Sequence, residues 1–450
     1  MQKTATKKTN NLFDFFKKKK LNIKEIEKLY LNTNSTQKIG LEYERLSLDK
    51  NTLENASYEK LSKIIEHFSN IQNWDLIYDN ETIIGAKSKT NTSISLEPGC
   101  QLEISLSPKE NISEINFELN EIISLLDRIA NSYDVFFLGY GISPKSQSED
   151  IALLNKKRYE IMNDFLPYQQ YGELCPTMMR KTAGIQINID FKNKKDAYLK
   201  SKFLNLITPF MCGLCANSPI ENNILSKNKT NRAYAWLYTG KNRCNFFYQN
   251  VYKKKFKKFE NFFKNYIEEI ISIPMVFLER NNELIPINGK INFKEFINEN
   301  YLNHQAEIED YLLHQSLVFP DIRIKNYIEI RNHDSSNSNI ALALCAFYKG
   351  LFKEDIENLL KKFDYLKIEN IEKYNKEVIK NGLNFKINKN LDAWQVVEKL
   401  FKISKNNLSN KEKDFIKPLV NLIENKKTQA DILIEQNITN AEELVSFLYE

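Results

Sequence analysis

Four short segments, far apart in the chain, share one pattern. Apolar residues alternate with polar ones, and the polar side carries acids or amides instead of mixed charges. In Gln101–Ser107 the residues Leu102, Ile104 and Leu106 fall on one side and Glu103, Ser105 and Ser107 on the other. Just upstream, Pro98-Gly99 is turn chemistry, so Glu97 precedes a bend and Glu103 follows it, directing both acids toward one point. Glu42 and Glu44 share a face in Gly40–Arg45, and Glu329 shares one with Arg331 in Tyr327–Arg331. Gln186, Asn188 and Asp190 do so in Ile185–Asp190, and all three are potential oxygen ligands. One such face is ordinarily a solvated side of a sheet. Four of them in a Lys-rich chain suit a hard cation such as Mg²⁺, which takes oxygen ligands and bridges to phosphates.

A chain of 450 residues can bury a large core, either as several domains or as one catalytic domain with helical additions. The formal net charge is +6, but it is unevenly placed. Nine of the 64 Lys and Arg and three of the 58 acids lie in residues 1–28, so the remainder, 55 of each sign, is neutral. A neutral body argues against nucleic-acid binding by the main fold, which needs a concentrated basic face. The most apolar run, Phe203–Ala216, is too short to span a membrane and is interrupted by Asn205, Thr208 and Pro209. The N-terminus lacks the apolar core of a secretory signal. Its Lys and Thr would suit an organellar transit peptide, but it has no Arg, and Phe13, Phe15 and Phe16 read as a docking helix. A cytoplasmic enzyme, monomer or homodimer, is the expectation.

The six cysteines, at 100, 175, 212, 215, 244 and 345, do not show the double-pair spacing of a zinc site, and Cys212-Gly213-Leu214-Cys215 sits in an apolar helical segment. The four histidines have no metal-ligand spacing. Along the chain the spacing predicts a lead-in helix ending near Tyr30, a helix over 58–68 and strands over 74–78, 83–87 and 93–96. It then predicts a long helix over 110–132, a strand over 135–139, and a helix over 196–216 kinked at Pro209. Lys157 and Arg158 form a basic helical patch suited to phosphate or carboxylate, or else to solvent. Arg232 and Arg243 flank Trp236, an arrangement that suits clamping a small carboxylate as well as it suits packing. Residues 252–300, rich in Lys, Asn and Phe, read as peripheral, and beyond Ser338 the pattern is helical almost throughout. The sum is an α+β architecture, an antiparallel sheet with acids on one face and helices on the other.

Several blocks together resemble the plant and alphaproteobacterial type of glutamate–cysteine ligase. They are Gly40–Glu44, Leu96–Gly99 with Gln101–Ser105, Lys157–Met162, Met178–Thr182 with Gln186–Phe191, Ala216–Pro219, Phe319–Arg323 and Tyr327–Arg331. The resemblance runs from about Phe15 to the C-terminus. It implies a curved antiparallel sheet funnel of the glutamine synthetase type holding Mg²⁺-ATP. The basic arm would be 1–37, the catalytic domain 38–350, and a helical region 351–450 would pack on it. The implied reaction joins the γ-carboxylate of L-glutamate to the amine of L-cysteine, with ATP activating the carboxylate as an acyl phosphate. Glu42, Glu44, Glu97, Glu103 and Glu329 would hold the metal, with Glu329 and Arg331 beside the transferred phosphoryl group. Lys157 and Arg158 would serve the nucleotide, Arg180 and Arg243 the glutamate carboxylates, and Trp236 the pocket wall. The chain departs from the family pattern at Cys100 (usually Gly), Tyr43 (His), Ala183 (Cys), Gly240 and Asn242 (Asp), and Asn332-His333 (Gly-Ala). Competing readings are a related γ-glutamyl ligase using another amine, a metal-dependent phosphohydrolase, and a binding module acting through the basic arm.

Overall fold

The computed structural model describes residues 21–31, 37–244, 247–253 and 259–449. The basic arm and Phe13, Phe15 and Phe16 lie outside the described residues.

The four acid-bearing segments fold into one nine-stranded sheet. Its strands, in chain order, are β1 (Ile39–Asp49), β2 (Asp75–Asp79), β3 (Thr82–Lys87), β4 (Ser93–Leu96), β5 (Leu102–Lys109), β6 (Val135–Leu138), β7 (Gly184–Ile189), β8 (Ile322–Ile324) and β9 (Ile328–Asp334). They lie in the order β8-β9-β7-β1-β5-β4-β3-β2, and β6 pairs with the far end of β1. Every ladder in the sheet is antiparallel. This is the α+β class expected, with the 74–96 meander as read from the alternation.

One face is apolar: Leu41, Tyr43, Ile104, Ile185, Ile187, Ile328 and Ile330 are all buried. Helices cover it because their own apolar residues recur at three and four. In Tyr58–Gln72 these are Leu61, Ile64, Ile65 and Phe68; in Ile112–Asn131 they are Ile112, Ile115, Leu119, Ile122, Leu126 and Ile129. Asn73 closes the first helix in the left-handed conformation Asn tolerates. The Lys194–Leu214 helix, capped by Asn193, carries Pro209 within it. Pro209 has no N–H for the turn before it, and nearby the Asn205 amide and Thr208 hydroxyl bond to the carbonyls of Ser201 and Leu204. The Cys212-to-Cys215 segment ends this helix, and both thiols are free and buried.

One expectation is corrected. The described residues of 252–300 are not peripheral: Phe262, Phe263, Tyr266, Ile267, Ile270, Phe277, Phe293 and Phe296 belong to the main core. Their Phe and Ile positions form an apolar stripe that the intervening Lys and Asn obscure in a composition count. The Ile23–Lys28 lead-in helix leads to this core, with the Tyr30 ring 5.1 Å from that of Phe263 and its hydroxyl bonded to Tyr311. The C-terminal region also contains a short hairpin, Lys386–Asn388 with Leu391–Asp392, between its helices. One continuous apolar cluster runs from Leu21 to Ile423, so the helices after 351 share the core of the sheet.

Candidate active site

The other face of the sheet opens into a cleft of about 280 Å³, and its register explains what lines it. Glu44 lies directly opposite Glu103 across β1 and β5, and Glu42 opposite Gln186 across β1 and β7. Glu329 lies opposite Asn188 across β7 and β9. Directly opposed residues point to the same side of a sheet, so one face collects acids from separate parts of the chain. Glu97 enters from the turn between β4 and β5. There the Cys100 amide donates to the Glu97 carbonyl (2.8 Å), and Gly99 sits so close to Arg180 that a Cβ would fall 2.1 Å from its carbonyl oxygen. The Gln101 side chain latches the turn, accepting from the Gly99 amide and donating to the Thr182 carbonyl, each at 2.8 Å. Cys100 adopts φ 64°, so this departure from Gly keeps the left-handed backbone of a bulged hairpin loop at the cost of a Cβ there.

Glu42, Glu44, Glu97, Glu103 and Glu329 all line this one cleft. Their electrostatics divide them. Burial and then repulsion from Glu97 push the Glu44 carboxyl from its ordinary value of 4.5 to about 7. Burial and then Glu329 push Glu42 up, while burial and the charges of Glu42, Glu97 and Glu44 push Glu103 well up. Glu329 goes the other way. Burial alone would raise it, but Arg323, Arg331 and Lys325 together outweigh burial and hold it well below the usual carboxylate range. Arg323 Nε lies 2.5 Å and an Arg331 guanidinium nitrogen 3.1 Å from one Glu329 oxygen, with Lys325 Nζ 3.0 Å from the other. Both oxygens are thus engaged by cations, which differs from the free metal ligand expected at 329.

Amides of β7 order the acids. Gln186 and the Gly184 N–H donate to Glu44, and Asn188 donates to Glu42. Gln186 is therefore not an open oxygen ligand, because its Oε1 accepts from Arg331. Asp190 lies outside the cleft, accepting from the Lys38 amide. Carboxylates pushed up by their neighbours form a donor set that a hard cation would relieve, and the chemistry fits Mg²⁺. As they stand, no three His, Cys, Asp or Glu among the described residues are gathered closely enough to hold a metal. The fit is one of donor chemistry, and a preformed cage is not present.

The other expected site residues separate. Arg158 lines the cleft beside Ser316, and its buried Nε has no partner. Trp236 also lines it, with Arg232 and Arg331 5.8 and 6.0 Å from its ring centroid. Lys157 does not. One position earlier on the Lys157–Phe165 helix, it points to solvent and pairs with Glu160 at 2.8 Å. Lys157→Ala is accordingly expected to leave the KM for ATP within about twofold, an exposed pair being worth little. A tenfold rise in that KM would return Lys157 to the site.

Arg180 is likewise outside the cleft. The Cys175–Lys181 helix presents Met178 and Met179 to it, while the carboxylate that acts on Arg180 is Glu149, which does not line the cleft. Arg243 is a buried bracket, donating to the carbonyls of Leu317 (3.0 Å) and Pro274. Its own carbonyl accepts from the Phe319 amide, so it holds a cleft-wall loop without facing the cleft. Sequence reasoning missed Arg323 and Lys325. The Ile322-Arg323-Ile324 alternation was a usable signal, since Arg323 lies directly opposite Glu329. Two departures from the family pattern prove to be core changes. Tyr43 donates to the Ser336 carbonyl at 2.6 Å, and buried His333 bonds to Tyr348 at 2.9 Å.

A family model described as glutamate–cysteine ligase family 2 matches residues 38–450. The chain belongs to that family. Among curated relatives, it is 28% identical over 411 residues to the chloroplastic glutamate–cysteine ligase of Medicago truncatula, covering 90% of this chain and 79% of that one. It is 30% identical over 326 residues to the chloroplastic enzyme of Arabidopsis thaliana, covering 72% and 60%. The fold is similar to that of a glutamate–cysteine ligase from Francisella tularensis solved in complex with AMP (TM-score 0.55, 15% identity, 90% of this chain and 86% of that one). In the acid-lined cleft, charged groups converge from four strands of the described sheet and a turn.

Proposed function

We propose that this protein is an ATP-dependent glutamate–cysteine ligase working in the cleft between β9 and the β4–β5 turn. The observation that carries the reading is the convergence of Glu42, Glu44, Glu97 and Glu103 opposite the Arg323–Glu329–Arg331 cluster. A carboxylate is a poor electrophile toward an amine, so the γ-carboxylate of glutamate must first take the γ-phosphoryl group of ATP, releasing ADP. The cysteine nitrogen then attacks the acyl carbon, the bond to phosphate breaks, and the nitrogen loses its proton. Phosphoryl transfer asks mainly for positioning and charge neutralisation.

Glu42, Glu44, Glu97 and Glu103 would hold the magnesium ions. When bound, Mg²⁺ neutralises phosphate charge and positions the triphosphate. Arg331, pinned between Gln186 and Glu329, presents a fixed cation toward the same cleft. Arg323 and Lys325 keep Glu329 ionised, so the cluster retains net positive charge. Arg158, with an unpartnered Nε, is the cation best placed to donate to a phosphate or carboxylate oxygen.

The test is ADP release by the purified protein. It should require L-glutamate, L-cysteine and Mg²⁺ together. ATP hydrolysis at full rate without amino acids would favour a phosphohydrolase, and turnover with another amine but not cysteine would reassign the acceptor.

The raised carboxyls have a thermodynamic signature. A carboxyl whose folded pKa is raised supplies stability that is complete below its unfolded value and lost as pH rises through the folded one. For Glu44 that window runs from about 4.5 to about 7. Buried His314 and His333 are held down, to about 3 and about 4, and give the opposite slope in part of this range, so the comparison must be with a variant. Relative to Glu44→Gln, the melting temperature of the unmodified protein should fall between pH 5 and pH 8, and added Mg²⁺ should narrow the difference at pH 8. Parallel melting curves across that range would show that Glu44 is not strained by its neighbours.

A further inference from the structure

β9 delivers Glu329 and Arg331 to the cleft and ends on Asp334, a buried carboxylate that does not line it. Three neutral groups donate to this acid. One oxygen accepts from the Asn217 amide at 2.9 Å and the Ser218 hydroxyl at 2.6 Å, the other from the Thr230 hydroxyl at 2.9 Å. Gly141 packs against it so tightly that a Cβ there would fall 2.7 Å from its Cγ. Burial pushes the carboxyl up, against the pull of Arg232 and the three donors. Keeping an acid in such a place is costly. The donors show what it organises.

Both hydroxyls pass the contact on. Ser218 Oγ accepts from the Arg232 N–H at 3.2 Å, and Thr230 Oγ1 from the Ala233 N–H at 3.1 Å. These are among the first N–H groups of the Asn231–Leu237 helix, which have no partner within the helix itself. That helix carries Arg232 and Trp236. Arg232 returns to β9, donating to the Arg331 carbonyl at 2.9 Å, and the Arg331 guanidinium lies 6.0 Å from the centroid of the Trp236 ring. The path therefore closes on itself, leaving β9 at Asp334 and rejoining it at Arg331. Between these two residues the pairing of β9 with β7 shifts register, and the Asp321 carbonyl accepts from the Arg331 N–H at 2.9 Å. A bulge of this kind re-aims the side chain beside it, so regular strand pairing alone does not fix Arg331.

We propose that Asp334 is a positioning residue that, through the Ser218 and Thr230 hydroxyls, holds Arg232 and Trp236 in place against Arg331. Its consequence for catalysis rests on the ligase reading, while the geometry of the wall does not. Asp334→Asn keeps the shape and sets a donor where the relay needs an acceptor. The kcat should fall about tenfold to a hundredfold, as misplacement by about 1 Å does, with the KM for ATP within about threefold. Trp74, Trp236 and Trp394 are the three tryptophans of the chain, so the full protein labelled with 5-fluorotryptophan reports the wall without turnover. The Trp236 resonance, assigned by its loss in Trp236→Phe, should move in Asp334→Asn while those of Trp74 and Trp394 stay. Thr230→Val, which removes one relay, should move the same resonance less, and the double variant should lose little more kcat than Asp334→Asn alone, because both act along one path. A stationary Trp236 resonance, movement of all three together, unchanged kcat, or additive losses in the double variant would each overturn the proposal. Where Asp334→Asn does not fold, Thr230→Val decides by its own resonances and kcat. Failure of the ligase reading would appear separately, as ADP release by the unmodified protein that does not depend on cysteine.

Discussion

Glu103→Gln should lose most of its turnover, roughly 10²- to 10³-fold, the size of effect seen when one preorganised charge-stabilising group is removed from a transition state. The substitution keeps the shape and the acceptor for the Ser105 hydroxyl, which lies 2.8 Å from Glu103 Oε1. What it removes is a charge that the folded chain holds at a cost. Glu103 faces Glu44 directly across the ladder and lies within reach of Glu42 and Glu97, which together with burial push its carboxyl well up. Like charges opposed in this way destabilise a sheet. The variant should therefore melt at the same temperature as the unmodified protein or higher in the absence of ligand. In return it should lose much of the stabilisation that Mg²⁺-ATP confers, since a ligand stabilises only in proportion to its affinity. Steady-state kinetics and melting curves with and without Mg²⁺-ATP check all three outcomes. Near-normal turnover would remove Glu103 from the metal site.

Glu329→Gln should behave in the opposite way toward stability. Glu329 is fully buried, and its two oxygens neutralise Arg323, Lys325 and Arg331. Removing the shared anion leaves cations inside the protein without their counter-charge, which costs about 3–5 kcal/mol in comparable buried pairs. A marked fall in melting temperature at pH 7.5 is expected. The sign of the pH dependence follows from the lowered carboxyl. Its contribution is present above the unfolded value and disappears as pH falls through the folded one. The deficit of the variant against the unmodified protein should therefore be full at neutral pH and shrink only at strongly acid pH. A variant of normal stability that had lost turnover would show instead that Glu329 serves the metal directly. The two substitutions are chemically identical, and their predicted stability effects differ because one acid sits among acids and the other among cations.

The alternation in Gly40–Arg45, Gln101–Ser107, Ile185–Asp190 and Tyr327–Arg331 was enough to read the strands and the faces on which their acids lie. Period two leaves no choice about which side a residue takes once the apolar side is buried. The helices over 58–72 and 112–131 were legible for the corresponding reason, a repeat of three and four. Residues 252–300 were misjudged because their apolar stripe is diluted by Lys and Asn, and only its contact with Tyr30, Tyr311 and the sheet shows what it covers.

Single cations were the least legible feature. Lys157 and Arg158 are adjacent in sequence, yet one faces solvent and the other the cleft, because neighbouring helical positions point about 100° apart. Arg243 looked like a substrate clamp beside Trp236, but its guanidinium is consumed by two backbone carbonyls.

Local pattern alone determined that this chain forms an antiparallel sheet with acids gathered on one side, since side-chain alternation is a property of each strand by itself. Which of those acids are free and which are already neutralised was decided only by tertiary structure. Glu103 and Glu329 sit in similar local sequence, and their opposite electrostatic states depend on which strand lies alongside each. Coulomb energy depends on distance through space, and strand order sets that distance.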